Sequence, residues 1–194
     1  MLGAVLHAPG DVRVEEREDP RIVAPTDAII RVSAACVCGS DLWPYRGIER
    51  ISGPSPMGHE YVGIVEEVGS AVRTIRSGQF VVGSFVISDN TCPICRSGYQ
   101  SSCVNLEFAS QTVGSQSQWA RIPLADGTLV ATPEVPSPDL VPHLLAASDV
   151  LARAGSRPTR LRWALARRSR WSATAPWGCS ACSLPSRWAP IASF

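Results

Sequence analysis

Gly58-His59-Glu60-Tyr61-Val62-Gly63-Ile64-Val65-Glu66-Glu67-Val68-Gly69-Ser70-Ala71-Val72 is the stretch on which the fold turns. Its middle, EYVGIVEEV, is rich in β-branched and aromatic residues and bounded by glycine, the pattern of a strand. His59 stands at the mouth of that strand. About twenty residues earlier, Cys38-Gly39-Ser40-Asp41 follows a second strand-like run, so Cys38 can project into a cleft. A thiolate and an imidazole are good zinc ligands, and a catalytic zinc takes three protein ligands and leaves one position open. Taken singly, Cys38 also reads as a small buried hydrophobe and His59 as a satisfied polar core residue.

Outward from this stretch, AVLHA, DVRVEE, DAIIRVSAACV and FVVGSFV read as further short strands, with QWARIP and TLVATP as two more. Gly and Pro punctuate them at Pro9-Gly10, Pro25, Gly47, Gly53-Pro54, Gly69 and Gly78. Short strands so closely spaced favour a barrel or sandwich over alternating strand–helix units. Residues 88–106 read as a loop carrying three Cys. Pro138-Asp139 opens a helix over LVPHLLAASDVLA. The fold class is mainly β with a few helices, and no internal repeat is visible.

With 194 residues, 45% hydrophobic and 18% charged, the chain can bury a real core but is too short for two full domains. No apolar run approaches the roughly 18 residues of a membrane span, and the early acidic residues leave no room for a signal peptide. A cytoplasmic protein with no membrane contact is the expectation. The net charge of +1 conceals a split. Residues 1–149 hold all 17 acidic residues against 10 Arg, a net of −7, whereas the last 45 hold 8 Arg and no acid. Trp163, Trp171, Trp177 and Trp188 lie in the same tail, and the chain has no Lys.

The run Gly58-His59-Glu60-x-x-Gly63-x5-Gly69-x-x-Val72, with Cys38-Gly39-Ser40-Asp41 and the opening strand VRVEE, resembles the catalytic domain of the zinc-dependent medium-chain alcohol dehydrogenases over residues 1–152. The resemblance implies a GroES-like, partly open β-barrel. It also implies a catalytic zinc on Cys38, His59 and, near the domain's end, Asp149. Such a Cys-His-Asp set departs from the two-Cys, one-His set of alcohol dehydrogenase; a solvent-facing helical Asp149 is the plain alternative. Glu60 is implied as a neighbouring or alternate ligand, and Asp41 as acceptor of the free His59 ring N–H. The loop Asp89-x-x-Cys92-x-x-Cys95-x7-Cys103 matches the spacing of the family's structural-zinc lobe, with Asp89 where a Cys is usual. One Asp and three Cys can hold zinc; a zinc-free lobe with Asp89 as a turn residue is the rival. A disulfide there does not suit the cytoplasm.

The implied activity is oxidation of a small alcohol to an aldehyde or ketone, with hydride passing to NAD(P) and Ser40 handing the proton towards solvent. Where many relatives carry a relay His, this chain has Trp43, which is expected to line the substrate cleft instead. His7 and His143 lack a partner motif and read as structural. No Gly-x-Gly-x-x-Gly occurs, so a Rossmann domain is expected to be absent, no residue is assigned to cofactor binding, and activity of this chain is doubtful. Shifted by one reading frame, GC-rich codons for Trp171 to Cys179 permit Val-Gly-Asp-Gly-Ala-Val-Gly-Leu. A frame shift near Leu151–Arg153 and an irregular, poorly ordered tail over 153–194 are therefore expected, which also demotes Cys179-x-x-Cys182 as a redox or zinc motif. Two other readings stand beside this one. The first is a zinc-stabilised binding module whose basic tail contacts a polyanion, although composition alone makes nucleic acid a weak partner. The second is a zinc-free quinone or enoyl reductase relative. The sequence leaves the oligomeric state open.

Overall fold

A computed structural model describes residues 1–151. The expected basic tail, the frame shift and Cys179-x-x-Cys182 lie outside the described residues. Ten strands build the fold: β1 Leu2–Ala8, β2 Asp11–Glu16, β3 Ala28–Cys36, β4 Ser55–Pro56, β5 Glu60–Val68, β6 Phe80–Gly83, β7 Val86–Ile87, β8 Glu107–Phe108, β9 Trp119–Ile122 and β10 Leu129–Ala131. They form antiparallel sheets ordered β2-β1-β4, β10-β6-β5-β3-β9 and β7-β8. The two larger sheets meet where residues 116–118 lead into β9. Ala4 donates to the Gln116 carbonyl, Gln118 donates to Leu2, and Val32 of β3 donates to Gln118. This stitching closes the sheets into the partly open barrel that the family resemblance implies, and decides between the barrel and the sandwich that the short strands left open.

The interior follows from alternation along the strands. Ile30, Tyr61, Val65, Val81, Ile122 and Leu129 converge from five strands on one buried core. The register of β3 on β5 shifts twice, between Ile29 and Ile30 and between Val32 and Ala34. Such bulges bend a pair and re-aim its side chains; the second lies on the way to the Cys36–Glu60 end of the pair. Tyr61 is fully buried, and only a glycine fits beside its ring: a Cβ on Gly83 would fall 1.9 Å from Tyr61 Cε2.

The strand FVVGSFV divides into β6 and β7, because Ser84 leaves the sheet to bond Thr128. The expected C-terminal helix is shorter than its sequence suggests. A 3₁₀ turn at Pro138–Leu140 leads into a helix over Val141–Ala146, and the chain then turns through Ala147, Ser148 and Asp149. Ser148 explains the break. Its hydroxyl accepts from Tyr61 N–H at 3.1 Å and donates to the Gly83 carbonyl at 2.6 Å, so the segment is pinned across β5 and β6. Among the described residues no helix is long and apolar enough to cross a membrane.

Candidate active site and cysteine lobe

Three parts of the chain bring Cys38, His59, Glu60 and Asp149 together, with one ligand atom from each lying within 4.8 Å of all the others. Cys38 leaves the end of β3 in an extended conformation at the start of the 3₁₀ turn Gly39–Asp41. Asp41 locks that turn by accepting the Cys38 backbone N–H on Oδ2 at 2.9 Å. Gly58 precedes His59 with φ +97°, a conformation other residues adopt at a cost. A Cβ there would also lie 2.6 Å from the Gln116 nitrogen. Asp149 arrives on the turn that Ser148 anchors. It is 3% exposed, which excludes the solvent-facing helical position.

Within this cluster His59 is 4% exposed and Glu60 1%. The His59 Nδ1 lies 3.2 Å from Asp41 Oδ1, while Nε2 lies 3.6 Å from Asp149 Oδ2 and 3.3 Å from Ser40 Oγ. The Nδ1 contact is close enough for an ion pair but misaligned for a hydrogen bond, so Asp41 orients the ring chiefly by charge. The Cys38 thiol points at Asp149 Oδ2, 3.6 Å away. Burial alone would lower the His59 pKa, but the neighbouring Asp149 and Asp41 carboxylates and the Cys38 thiol outweigh it and push it up to about 11.

This donor set fits a dication. A thiol, an imidazole and two carboxylates share one buried space, and His59 is the one group of the four that can carry a positive charge. Buried carboxylates need a paired charge, and Glu60 Oε1 has no hydrogen-bond partner while Oε2 accepts from the Cys36 thiol. Cys36 is a neighbour that sequence reasoning missed. Its place two residues before Cys38 on a strand was the available signal, because alternation returns it to the same face. Burial and the hydrogen bond to Glu60 push the Cys36 thiol up to about 12.

Beside the cluster lies a cavity of about 460 Å³ whose lining includes Ser40, Asp41, Arg50, Met57, Gly58 and Ser110. Ser40 is exposed and links this space to His59. Pro44 rather than Trp43 takes part in the lining, contrary to the expectation for Trp43. His7 pairs with Glu15 at 2.9 Å, and His143 is exposed on the C-terminal helix.

The second group, Asp89, Cys92, Cys95 and Cys103, also brings its ligand atoms within 4.8 Å of one another. The main chain prepares it for thiolates. Cys103 Sγ accepts from the N–H groups of Asp89 and Asn105 at 3.4 and 3.3 Å, and Cys92 Sγ from Cys95 N–H at 3.4 Å. N–H bonds from Val104 and Cys95 hold the Cys92 thiol below its usual pKa, while burial pushes Cys95 up to about 12. Asp89 is at once a turn residue and a candidate ligand. Oδ1 accepts from Thr91 and Cys92 N–H at 2.8 and 3.0 Å, and Oδ2 from Asn105 Nδ2 at 2.8 Å. Those main-chain bonds hold its carboxyl well below the usual range. All five described cysteines are free.

Comparison with known proteins places these features in context. Residues 24–134 match the alcohol dehydrogenase GroES-like domain. Zinc-type alcohol dehydrogenase B of Aspergillus flavus is 41% identical over 136 residues, covering 69% of this chain and 32% of that protein. A medium-chain reductase/dehydrogenase of Acremonium sp. is 40% identical over 136 residues, covering 69% and 47%. The alcohol dehydrogenase TADH from Thermus sp. ATN1 superposes with TM-score 0.70 at 33% identity, covering 80% of this chain and 46% of that one. The chain thus spans between a third and a half of the length of these relatives.

Proposed function

Because the chain belongs to the alcohol dehydrogenase GroES-like domain family, we propose that residues 1–151 are the zinc-binding, alcohol-handling part of such an oxidoreductase. The observation that carries this reading is the burial of Cys38, His59, Glu60 and Asp149 around one point, beside a cavity reached through Ser40.

Cys38, His59 and Asp149 would hold the catalytic zinc, with Glu60 at hand as a further donor. Zinc bound there supplies Lewis acidity towards an alcohol oxygen. The residues themselves bind, orient and relay. Asp41 fixes both the Cys38 turn and the His59 ring. The Ser40 hydroxyl stands between the buried imidazole and the exposed cavity, where it can pass a proton outward. Asp89, Cys92, Cys95 and Cys103 would hold a structural zinc that ties down a lobe with little core of its own.

Residues 1–151 hold no Gly-x-Gly-x-x-Gly turn on which to seat a nicotinamide dinucleotide. The Gly-rich turn that brings main-chain N–H groups onto a pyrophosphate is missing from the sequence, so no hydride step is assigned to this chain. The test is elemental analysis and turnover on the purified 194-residue protein. We expect about two zinc per chain, one lost in Cys38→Ser and one in Cys103→Ser, and no alcohol oxidation with NAD or NADP. Robust turnover would refute the last part, and a protein purified free of metal would refute the first.

A further inference from the structure

Around Met1 and the start of β9, a cavity of about 230 Å³ is lined by Met1, Arg17, Arg21, Thr112, Trp119 and Arg121, together with Glu18 and Asp19. Its charges do not all cancel internally. Asp19 is taken by the Met1 ammonium at 2.7 Å, and Arg121 by the buried Asp27 at 2.9 Å. Arg17 and Arg21 remain, among the described residues, without an ion pair, against the single exposed Glu18.

Arg17 is the less ordinary of the two. Its Nη1 is buried with no hydrogen-bond partner. It lies where only glycine leaves room, 3.1 Å from the Cβ that Gly3 would carry and 3.3 Å from that of Gly114. A half-buried guanidinium without an ion pair is costly, and burial lowers its pKa against the pull of the Glu15 carboxylate, which itself pairs with His7. The fold retains it with its main chain fixed at both ends, since Arg17 N–H donates to Met1 O and Arg17 O accepts from the Met1 ammonium. Guanidinium forks match the oxygens of a phosphate group.

We propose that this cavity is a phosphate-binding site, with Arg17 and Arg21 as its cationic contacts. The group it takes is a free phosphate ion or the phosphate of a small monoester, and Glu18 limits the affinity by like-charge repulsion. The site is separate from the metal cluster and does not depend on the oxidoreductase reading.

Calorimetric titration of the full chain with inorganic phosphate, at constant ionic strength set by chloride, tests the proposal. Saturable binding is expected. Arg21→Gln and Arg17→Gln should each weaken it about tenfold, the loss of one charge-assisted contact, and Glu18→Gln should strengthen it. Arg21 is exposed, so its variant folds even if Arg17→Gln does not. A parallel titration with methyl phosphate separates the sources: tighter binding of the ester marks a monoester site, equal or weaker binding a site for the free ion. Absence of saturable binding, affinity unchanged in Arg21→Gln, or binding abolished by His59→Gln would overturn the proposal.

Discussion

Asp41 does two jobs with one carboxylate, accepting the Cys38 N–H on one oxygen and facing His59 Nδ1 with the other. Partners that orient a metal-bound histidine typically govern affinity by ten- to a hundredfold. Asp41→Asn is therefore expected to weaken zinc at this cluster by about that factor, read by competition with a chromogenic chelator, while the lobe keeps its metal. His59 gives the site a pH signature. In metal-free protein its folded pKa, about 11, exceeds the ordinary 6.5. Its contribution to stability is thus complete below 6.5 and fades as pH rises towards 11. Urea midpoints of metal-free protein should fall over that window, and less so in His59→Gln. Zinc uptake should release protons there, since the ring must first lose the one it holds.

At the scale of elements, Ser148 and Gly83 hold the site in place from outside it. Ser148→Ala would leave Tyr61 N–H and the Gly83 carbonyl unpaired in the interior, at about 1–3 kcal/mol for each buried group. It should lower both the thermal midpoint and zinc affinity, because Asp149 rides on the same turn. Gly83→Ala forces a methyl against the Tyr61 ring and should destabilise by about 1–3 kcal/mol or more. Much of this architecture was legible in the sequence. EYVGIVEEV is a strand over the residues its composition marks, and the candidate ligands Cys38 and His59 sit at strand ends where the motif spacing puts them. The illegible parts depend on contacts far along the chain. Nothing near Ser148 signals that its hydroxyl will be captured by β5 and β6, so the sequence predicts a helix running on through Asp149. The cleft position expected for Trp43 goes instead to its neighbour Pro44, because sequence alone does not orient side chains on so short a helix. The Cys36–Glu60 contact required knowing the β3–β5 register, including its two bulges.

For the molecule as a whole, the two candidate metal groups differ in how they depend on the fold. The lobe ligands lie within one loop, Asp89 to Cys103, and its packing against the barrel runs through contacts such as Ser88 on Gly127 and Asn90 on Asp126. Prolonged exposure to a strong chelator should therefore lower the thermal midpoint more in Cys38→Ser, which retains the lobe zinc, than in Cys103→Ser, which retains only the zinc of the cluster. Replacing Asp89 with Cys should slow metal loss from the lobe, because thiolate is the softer donor for zinc. The active cluster is different, drawing on Cys38 and Asp149 across 111 positions of chain. Closing so long a loop is slow and needs the barrel complete, whereas fifteen consecutive residues can gather a metal while the rest is still unfolded. Refolding in the presence of zinc should then show two clocks, a fast uptake at the cysteine loop and a slow one that reports the last closure of the barrel.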